Sequence, residues 1–494
     1  MPEGNVRNIV RQSILVALLA SVLTHRAPAQ AGTSAPDTLH SGPPAPTDEE
    51  NHKLLPVVEI TSFLALLNGY DRVVYPNETK DGKKIFSSTF STTWDHIRTQ
   101  RWVYDPDPFN VNQFFHPYQG ATMYGLARSS GHSFWTSLIH ANVGSFIWKM
   151  AGETDPPSIN DMITTGQAGS LLGESLYRMA DLVLKNSSGT KPGRWHELAA
   201  AVISPPGGVN RRVFGERFKA KLPDTAPATS WQIRFGANLD AVARDYSAPT
   251  TLLRRDATTE FSMSYGLPGQ PGYEYTRPLD YFDFQVSLLT NTSNPIENVM
   301  IRGLLVGSKT GETATASGFW GLYGTYDYIS PYLFRVSSTA LSLGTTQQLW
   351  IVPGLAVQGT ALSGVGFGAA GSTTVIPSTP TNAAIRDYHF GVTPQALVAL
   401  RLIAGHRVMF DMTAREYYVS GLGSDDAHGS ETIFRGNFGV TARIIGANAL
   451  GVQYVASTRD AHYGKQPNAK FTEGAVTVVY SILGGNTFSA VKEQ

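Results

Sequence analysis

Between Asp105 and Arg178 the chain concentrates the side chains best suited to proton transfer and charge recognition. His116, Gly120, Tyr124 and Arg128 fall four residues apart, so on a helix they form one stripe. Ser170, Glu174 and Arg178 repeat that spacing, which lets Glu174 pair with Arg178 one turn on. Read as chemistry, His116 is a candidate general base and Asp161 or Glu174 its orienting carboxylate. Ser145 or Ser170 would be the nucleophile, and Arg128 would stabilise developing negative charge. Such a site would suit a hydrolase or transferase acting on lipid or glycan. A metal set of His116, His140, Asp161 and Glu174 is available by residue type, but no spacing singles it out. Neither a GxSxG elbow nor an HExxH motif is present, and no cofactor is expected. The competing reading makes His116, Arg128, Asp161, Glu174 and Arg178 a buried bonded network that fixes helices together, because a buried charge needs a partner. That reading requires no nucleophile and is preferred.

The elements that would position these residues are helical. Segments from about Pro117 to Ser129, Ser133 to Met150 and Ser158 to Leu184 carry the right period, with Gly131 and Gly152 at the breaks. Pro117 suits a first turn, and Ser158 with Asp161 three residues on is a capping pattern. Gly166, Gly169 and Gly173 lower helix propensity but permit close approach of a neighbour. The segment 133–150 is amphipathic rather than continuously apolar, which suits packing in protein or lying at a membrane surface. A further short helix is expected over 56–70.

This region resembles an uncharacterised bacterial envelope family, domain-of-unknown-function family 3943. The resemblance is carried by Asn112, Gln113, His116, Pro117 and Gly120, then Tyr124, Arg128 and Gly131, then Pro157 to Asp161, and finally Gly169, Gly173, Glu174 and Arg178. It covers roughly 90–190, with a weaker continuation near Tyr326 and Phe334. It implies an envelope setting and no established activity. Lys149 departs from the family pattern, standing after Trp148 where an acidic residue is usual.

Beyond about Arg211 the period becomes two. In 231–240, Trp231, Ile233, Phe235, Ala237 and Leu239 alternate with Gln232, Arg234, Gly236, Asn238 and Asp240. The segments 281–289 and 432–443 alternate in the same way, and further strands are expected near 211–222, 297–307, 317–330, 333–343, 347–357, 359–369, 396–405, 407–420, 447–458 and 472–483. Closure favours an even number such as twelve, and many segments have the length of a membrane-spanning strand. Tyr281, Trp320, Tyr326, Trp350, Tyr417, Tyr418 and Tyr480 recur near strand ends, where interfacial belts place aromatics.

Bulk properties agree. Charged residues are 16% of 494, below the usual quarter, while Gly and aromatics are abundant. Mean hydropathy of -0.13 excludes a bundle of apolar transmembrane helices. Zero net charge and the lack of a basic block argue against nucleic acid as a partner. With no Cys, disulfides and thiolate sites are excluded. Arg7 and Arg11, the apolar run Ser13–Leu23 and the small residues Ala29 and Ala31 read as an export signal.

The resulting expectation is an outer-membrane β-barrel of about twelve antiparallel strands preceded by a small α-helical module. The bounds are 1–31 signal peptide, 32–55 disordered leader, 56–190 helical module, 191–210 linker and 211–494 barrel. The helices would plug the lumen or sit at the periplasmic rim, the rim being slightly preferred. The expected role is structural or transport-related, with outer-membrane lipids as partners and a small-molecule, lipid or glycan ligand open. A lipid- or glycan-active enzyme and a soluble periplasmic binding protein are the alternatives. Oligomeric state is not legible.

Overall fold

The computed structural model describes residues 54–76, 79–80, 83–99, 101–105, 107–185, 192–214, 226–244, 252–290, 294–331, 334–372, 388–422, 429–463, 468–484, 488 and 490–491. The expected signal peptide, and the leader up to residue 53, lie outside them. Twelve antiparallel strands form a closed barrel. They are β1 Thr229–Arg244, β2 Leu252–Tyr265, β3 Phe282–Leu289, β4 Ile296–Lys309, β5 Ala316–Ile329 and β6 Phe334–Val352. Then follow β7 Leu355–Ser372, β8 Tyr388–Ala404, β9 Val408–Ser420, β10 Gly429–Ile445, β11 Asn448–Tyr463 and β12 Ala469–Gly484. Each pairs with its chain neighbours, and β12 pairs with β1 from Phe471↔Arg244 to Gly484↔Trp231, so the ladder has no edge.

The period-two pattern sorts residues to two faces. Outward positions include exposed Leu341, Leu343, Val365, Val398, Leu400, Phe410, Phe438, Val440, Val452 and Val478. Inward positions carry the charges. Arg234 reaches Glu260 at 3.1 Å and Asp411 at 3.0 Å. Arg415 reaches Asp327 at 3.1 Å, and Arg459 holds Glu431 at 2.6 Å. Arg435 on β10 pairs with Glu297 on β4, six strands round the ring in either direction, so this pair crosses the lumen. Ile329, Phe334, Val336, Tyr417, Val419 and Ile433 form an apolar cluster at one end. At the other end Trp350, Ile403, Met409, Leu483 and Phe488 do the same. The lumen is a filled core.

One rim has short turns at Pro353–Gly354, Gly405–Arg407 and Gly446–Ala447. Gly354, Gly405 and Gly446 take the positive φ these turns require. The same rim carries the long β2–β3 connection between Tyr265 and Phe282, and the opposite rim joins Arg244 to Leu252, Leu289 to Ile296, Ile329 to Phe334, Ser372 to Tyr388, Ser420 to Gly429 and Tyr463 to Ala469.

Ahead of the barrel, eight α-helices lie among the described residues: α1 Leu55–Val74, α2 Phe90–Thr99, α3 His116–Ser129, α4 Phe134–Ala151, α5 Ile159–Ile163, α6 Gly169–Lys185, α7 Arg194–Ile203 and α8 Pro205–Phe214. Single π-helical turns, Val111–Phe115 and Thr164–Ala168, lead into α3 and α6. The helices neither plug the lumen nor cap the rim. They lie on the outer wall. Tyr326 and Tyr328 share the outward face of β5 with exposed Trp320, yet both are fully buried under the module. Phe109 packs on Tyr328 at 5.5 Å between ring centroids. Tyr104 stacks on Phe390 at 5.5 Å and on Phe367 at 6.2 Å, both outward residues. Leu171 of α6 fits over Gly324, where a Cβ would come within 2.8 Å of it.

Several strand expectations change. The segment 211–222 is helical as far as Phe214, and the rest of it lies outside the described residues. The candidates 333–343 and 347–357 are parts of the single strand β6 together with the start of β7. Strand β2 is an addition, because its inward row Asp256, Thr258, Glu260, Ser262 and Ser264 is uniformly polar while Arg255 and Thr259 break the apolar row. Residues 191–210, read as a linker, contain α7 and the start of α8. Of the expected belt aromatics, Trp320, Tyr418 and Tyr480 are outward and exposed, whereas Tyr281, Trp350 and Tyr417 are buried inside.

Ala237 and Val478 face each other across the β12–β1 seam. In a chain without Cys, the pair Ala237→Cys and Val478→Cys should oxidise to a disulfide that shifts the unreduced, heat-denatured band on a gel. Ala237→Cys with Val476→Cys, one step out of register, should not; equal cross-linking of both pairs would mean the seam is not in this register.

Candidate functional site

Helices α3 and α6 run side by side in the same direction and touch through backbone. A Cβ on Gly120 would lie 1.8 Å from the Thr165 carbonyl oxygen. One on Gly169 would meet Gly120 Cα at 2.7 Å, and one on Gly173 the Tyr124 ring at 2.7 Å. Only glycine allows this approach. It sets Tyr124 and Arg128 directly against Glu174.

Glu174, with no exposed surface, is the centre of a first knot. It accepts from Arg128 Nε at 2.7 Å, Tyr124 Oη at 2.8 Å and Arg178 Nε at 2.8 Å. Arg128 Nη1 also donates to the His132 carbonyl at 2.8 Å. Arg178 then leaves the module: its Nη1 meets Asp280 Oδ1 at 3.0 Å, and its Nη2 donates to the Pro278 carbonyl at 2.9 Å. Asp280 sits in the β2–β3 connection, where its other oxygen accepts from the backbone N–H groups of Thr276 and Arg277. The preceding Leu279 has φ +61, a costly conformation for leucine, and is held by its N–H bond to the Leu304 carbonyl. Two guanidinium groups and two carboxylates thus neutralise one another and bolt α6 to the barrel.

A second knot lies two to three turns back along α3. Lys149 of α4 is buried, with Asp161 at 2.7 Å, Glu153 at 2.8 Å and Asp105 at 3.8 Å. Asp161 also accepts from Ser158 Oγ, and from Asn160 Nδ2 at 2.7 Å. His116 Nε2 lies 3.5 Å from Asp161, and its Nδ1 is 3.2 Å from Gln119 Oε1. Asn160 Oδ1 accepts the Asp105 N–H, tying the loop before α3 to α5. The first π-turn places Gln113 and Asn112 against the wall: Tyr326 Oη donates to the Gln113 carbonyl, and Asn112 Nδ2 donates to Tyr388 Oη at 2.8 Å.

The four candidate residues therefore divide into two pairs, His116 with Asp161 and Arg128 with Glu174. His116 and Arg128 are separated by about 18 Å of helix. Neither candidate nucleophile reaches His116: Ser145 Oγ contacts Met162 Sδ, and Ser170 Oγ donates to the Gly166 carbonyl. His140 stacks edge-on against His132. Among the described residues no three His, Asp or Glu side chains converge as a metal set would. Sequence reasoning passed over Asp280, which no motif marks, and took Asp105 only as the start of the polar segment. It read Lys149 as a departure, whereas Lys149 is the hub of the second knot.

The profile of a domain of unknown function, DUF3943, matches residues 101–206. This span holds both knots except for Asp280. No curated protein sequence matches the chain. Among solved structures it is similar to the NanC porin, at 9% identity and TM-score 0.25, over 49% of this chain and 98% of that one. It is similar to the Pseudomonas putida toluene transporter TodX, at 7% identity and TM-score 0.23, over 53% and 90%. Pseudomonas aeruginosa OpdQ gives 9% identity and TM-score 0.21, over 52% and 98%. The barrel itself rests on its own closed ladder.

Replacing Glu174→Gln leaves Arg128 and Arg178 without their shared carboxylate and should destabilise the module by about 3–5 kcal/mol. Limited trypsin digestion should then cut within 101–206 while the barrel keeps its heat-modifiable gel band. Wild-type resistance in this variant would show that the knot does not hold the helices.

Proposed function

We propose that this chain is an integral outer-membrane protein in which a sealed barrel serves as scaffold for a helical module seated in the lipid beside it. The observation that carries this reading is the division of the closed wall into an apolar outer face and a charged, self-paired interior. Lipid tolerates such a wall because every backbone group is bonded within it. Outer-membrane lipids are accordingly the proposed partners.

The module shares this surface chemistry. On α4, Trp135, Ile139, Val143, Phe146 and Ile147 are exposed, an apolar face of the same kind as that of the bare strands. Because α6 and the first π-turn cover outward residues of β4, β5 and β8, the module lies at the depth of the wall it covers. No described helix is long and apolar enough to cross a membrane by itself. The buried charges of α3, α4 and α6 are held in the two knots, while Asp181, Lys185, Glu197 and Arg211 lie elsewhere on the module. The short-turn rim, where β1 begins and β12 ends, is the proposed periplasmic side. The export signal at 1–31 fits this route.

Within the structural or transport-related class, the filled lumen favours a scaffold over a passive diffusion pore. His116, Arg128, Asp161 and Glu174 are proposed as fasteners of the helices. An enzymatic role gains no support from contacts in which each carboxylate is already bonded to a cation and neither candidate serine contacts His116. A soluble periplasmic protein would have to leave the whole apolar band in water.

The test is reconstitution of the full chain into planar bilayers after detergent extraction from the outer-membrane fraction. The wild type should insert without steady ionic conductance, and Arg415→Ala with Arg435→Ala should show openings. Steady wild-type steps of open-porin size, or recovery of the chain in the detergent-free soluble fraction, would contradict the proposal.

A further inference from the structure

Arginines line the barrel interior, and Arg302 differs from those that hold a carboxylate. Arg234, Arg415, Arg435 and Arg459 each hold a carboxylate. Arg302 on β4 is 3% exposed, yet its Nε and Nη1 find no hydrogen-bond partner among the described residues. The residue opposite it in the β3–β4 ladder is Asp283. That carboxylate turns elsewhere, accepting from Ser264 Oγ at 2.6 Å and Tyr281 Oη at 2.9 Å. Arg302 borders two cavities. One of about 80 Å³ is shared with Arg234, Glu260, Asp283, Gln358 and Arg401. The other, of about 10 Å³, lies toward Asp327 and Arg415. Buried guanidinium N–H groups left unbonded are costly, and the cost is relieved by an anionic acceptor in the adjoining space.

We propose that this part of the lumen is a binding site for a small monovalent carboxylate, held by Arg302. Size and charge both select the ligand. The larger cavity has room for an anion of a few heavy atoms and no more. It is already lined by Glu260, Asp283 and Asp411, so a single added negative charge is tolerated where a doubly charged phosphate is repelled. Arg401 lines the same cavity, and its Nη1 donates to Ser264 Oγ at 3.0 Å. It provides a second cation facing the ligand. The inference stands on the lumen alone and holds whether or not the helical module lies in lipid.

The experiment uses the full chain in zwitterionic detergent, in chloride-free buffer of fixed ionic strength, titrated separately with sodium formate and inorganic phosphate. Calorimetry and the thermal midpoint are the readouts. The wild type should bind formate at one saturable site, and its midpoint should rise with formate as mass action requires. Arg302→Gln should weaken binding at least tenfold while leaving the anion-free midpoint unchanged or higher, because it removes buried donors that have no acceptor. Arg302→Lys, which keeps the charge but loses the planar fork, should retain weaker binding. Absence of saturation in the wild type, an undiminished response in Arg302→Gln, or tighter binding of phosphate than of formate would overturn the proposal. Should Arg302→Gln fail to fold, the wild-type titration and Arg302→Lys decide the matter by the same criteria.

Discussion

In the proposed membrane setting, a wall that faces hydrocarbon can leave no backbone group unbonded, and this constraint accounts for both halves of the molecule. The barrel meets it by joining β12 to β1, so that each strand has two neighbours. Its ion pairs lie on the inward face, between neighbouring strands as for Arg459 with Glu431 or across the lumen as for Arg435 with Glu297. The helices meet it in another way. Their buried charges are gathered into two knots between helices, or between helix and wall, and the exposed residues of α4 include Trp135, Ile139 and Val143. Arg178 joins the two solutions, since it is neutralised partly by its own helix and partly by Asp280 of the barrel.

Placing helices on the outside of a barrel has a cost that glycine offsets. The wall offers a convex apolar surface, and α6 must lie close to it while α3 lies close to α6. Gly120, Gly169 and Gly173 remove the side chains that would hold the backbones apart, and Gly324 admits Leu171 on the wall side. Dispersion across such close contacts takes over where, in lipid, the hydrophobic effect gives no preference for helix over acyl chain. The aromatic contacts of Tyr104 and Phe109 add specific geometry at the other end of the module.

Much of the fold is legible from period alone. Alternation in 231–240 and 432–443 assigns inward and outward residues as found, because a strand's side chains have no other choice of face. Strand β2 escapes notice because Arg255 and Thr259 interrupt the apolar row, and β6 is divided because Gly344 and its polar neighbours read as a turn inside a single strand. The helices and their glycine contacts are also readable, but the side of the wall they occupy is not. Inside or outside depends on outward residues such as Tyr326 and Tyr328 being covered by protein instead of lipid, and apolar character is the same in either case. At the site, the four-residue spacing predicts the Glu174–Arg178 pair, and Glu174 also proves to be the partner of Arg128. Asp280 lies beyond such reasoning, since its partner is 102 residues away in a loop without regular period.

The central claim is that the helical module shares the bilayer with the wall it covers. Since the chain has no Cys, a nitroxide can be attached singly at Ile139→Cys on α4 and, for reference, at Leu343→Cys on β6, in protein reconstituted into lipid nanodiscs. Relaxation enhancement by oxygen and by a water-soluble nickel chelate then reports depth. The account predicts that both labels are accessible to oxygen and shielded from nickel to a similar degree. A label at Ile139 that is fully open to nickel while Leu343 remains shielded would place the helices in water and contradict it.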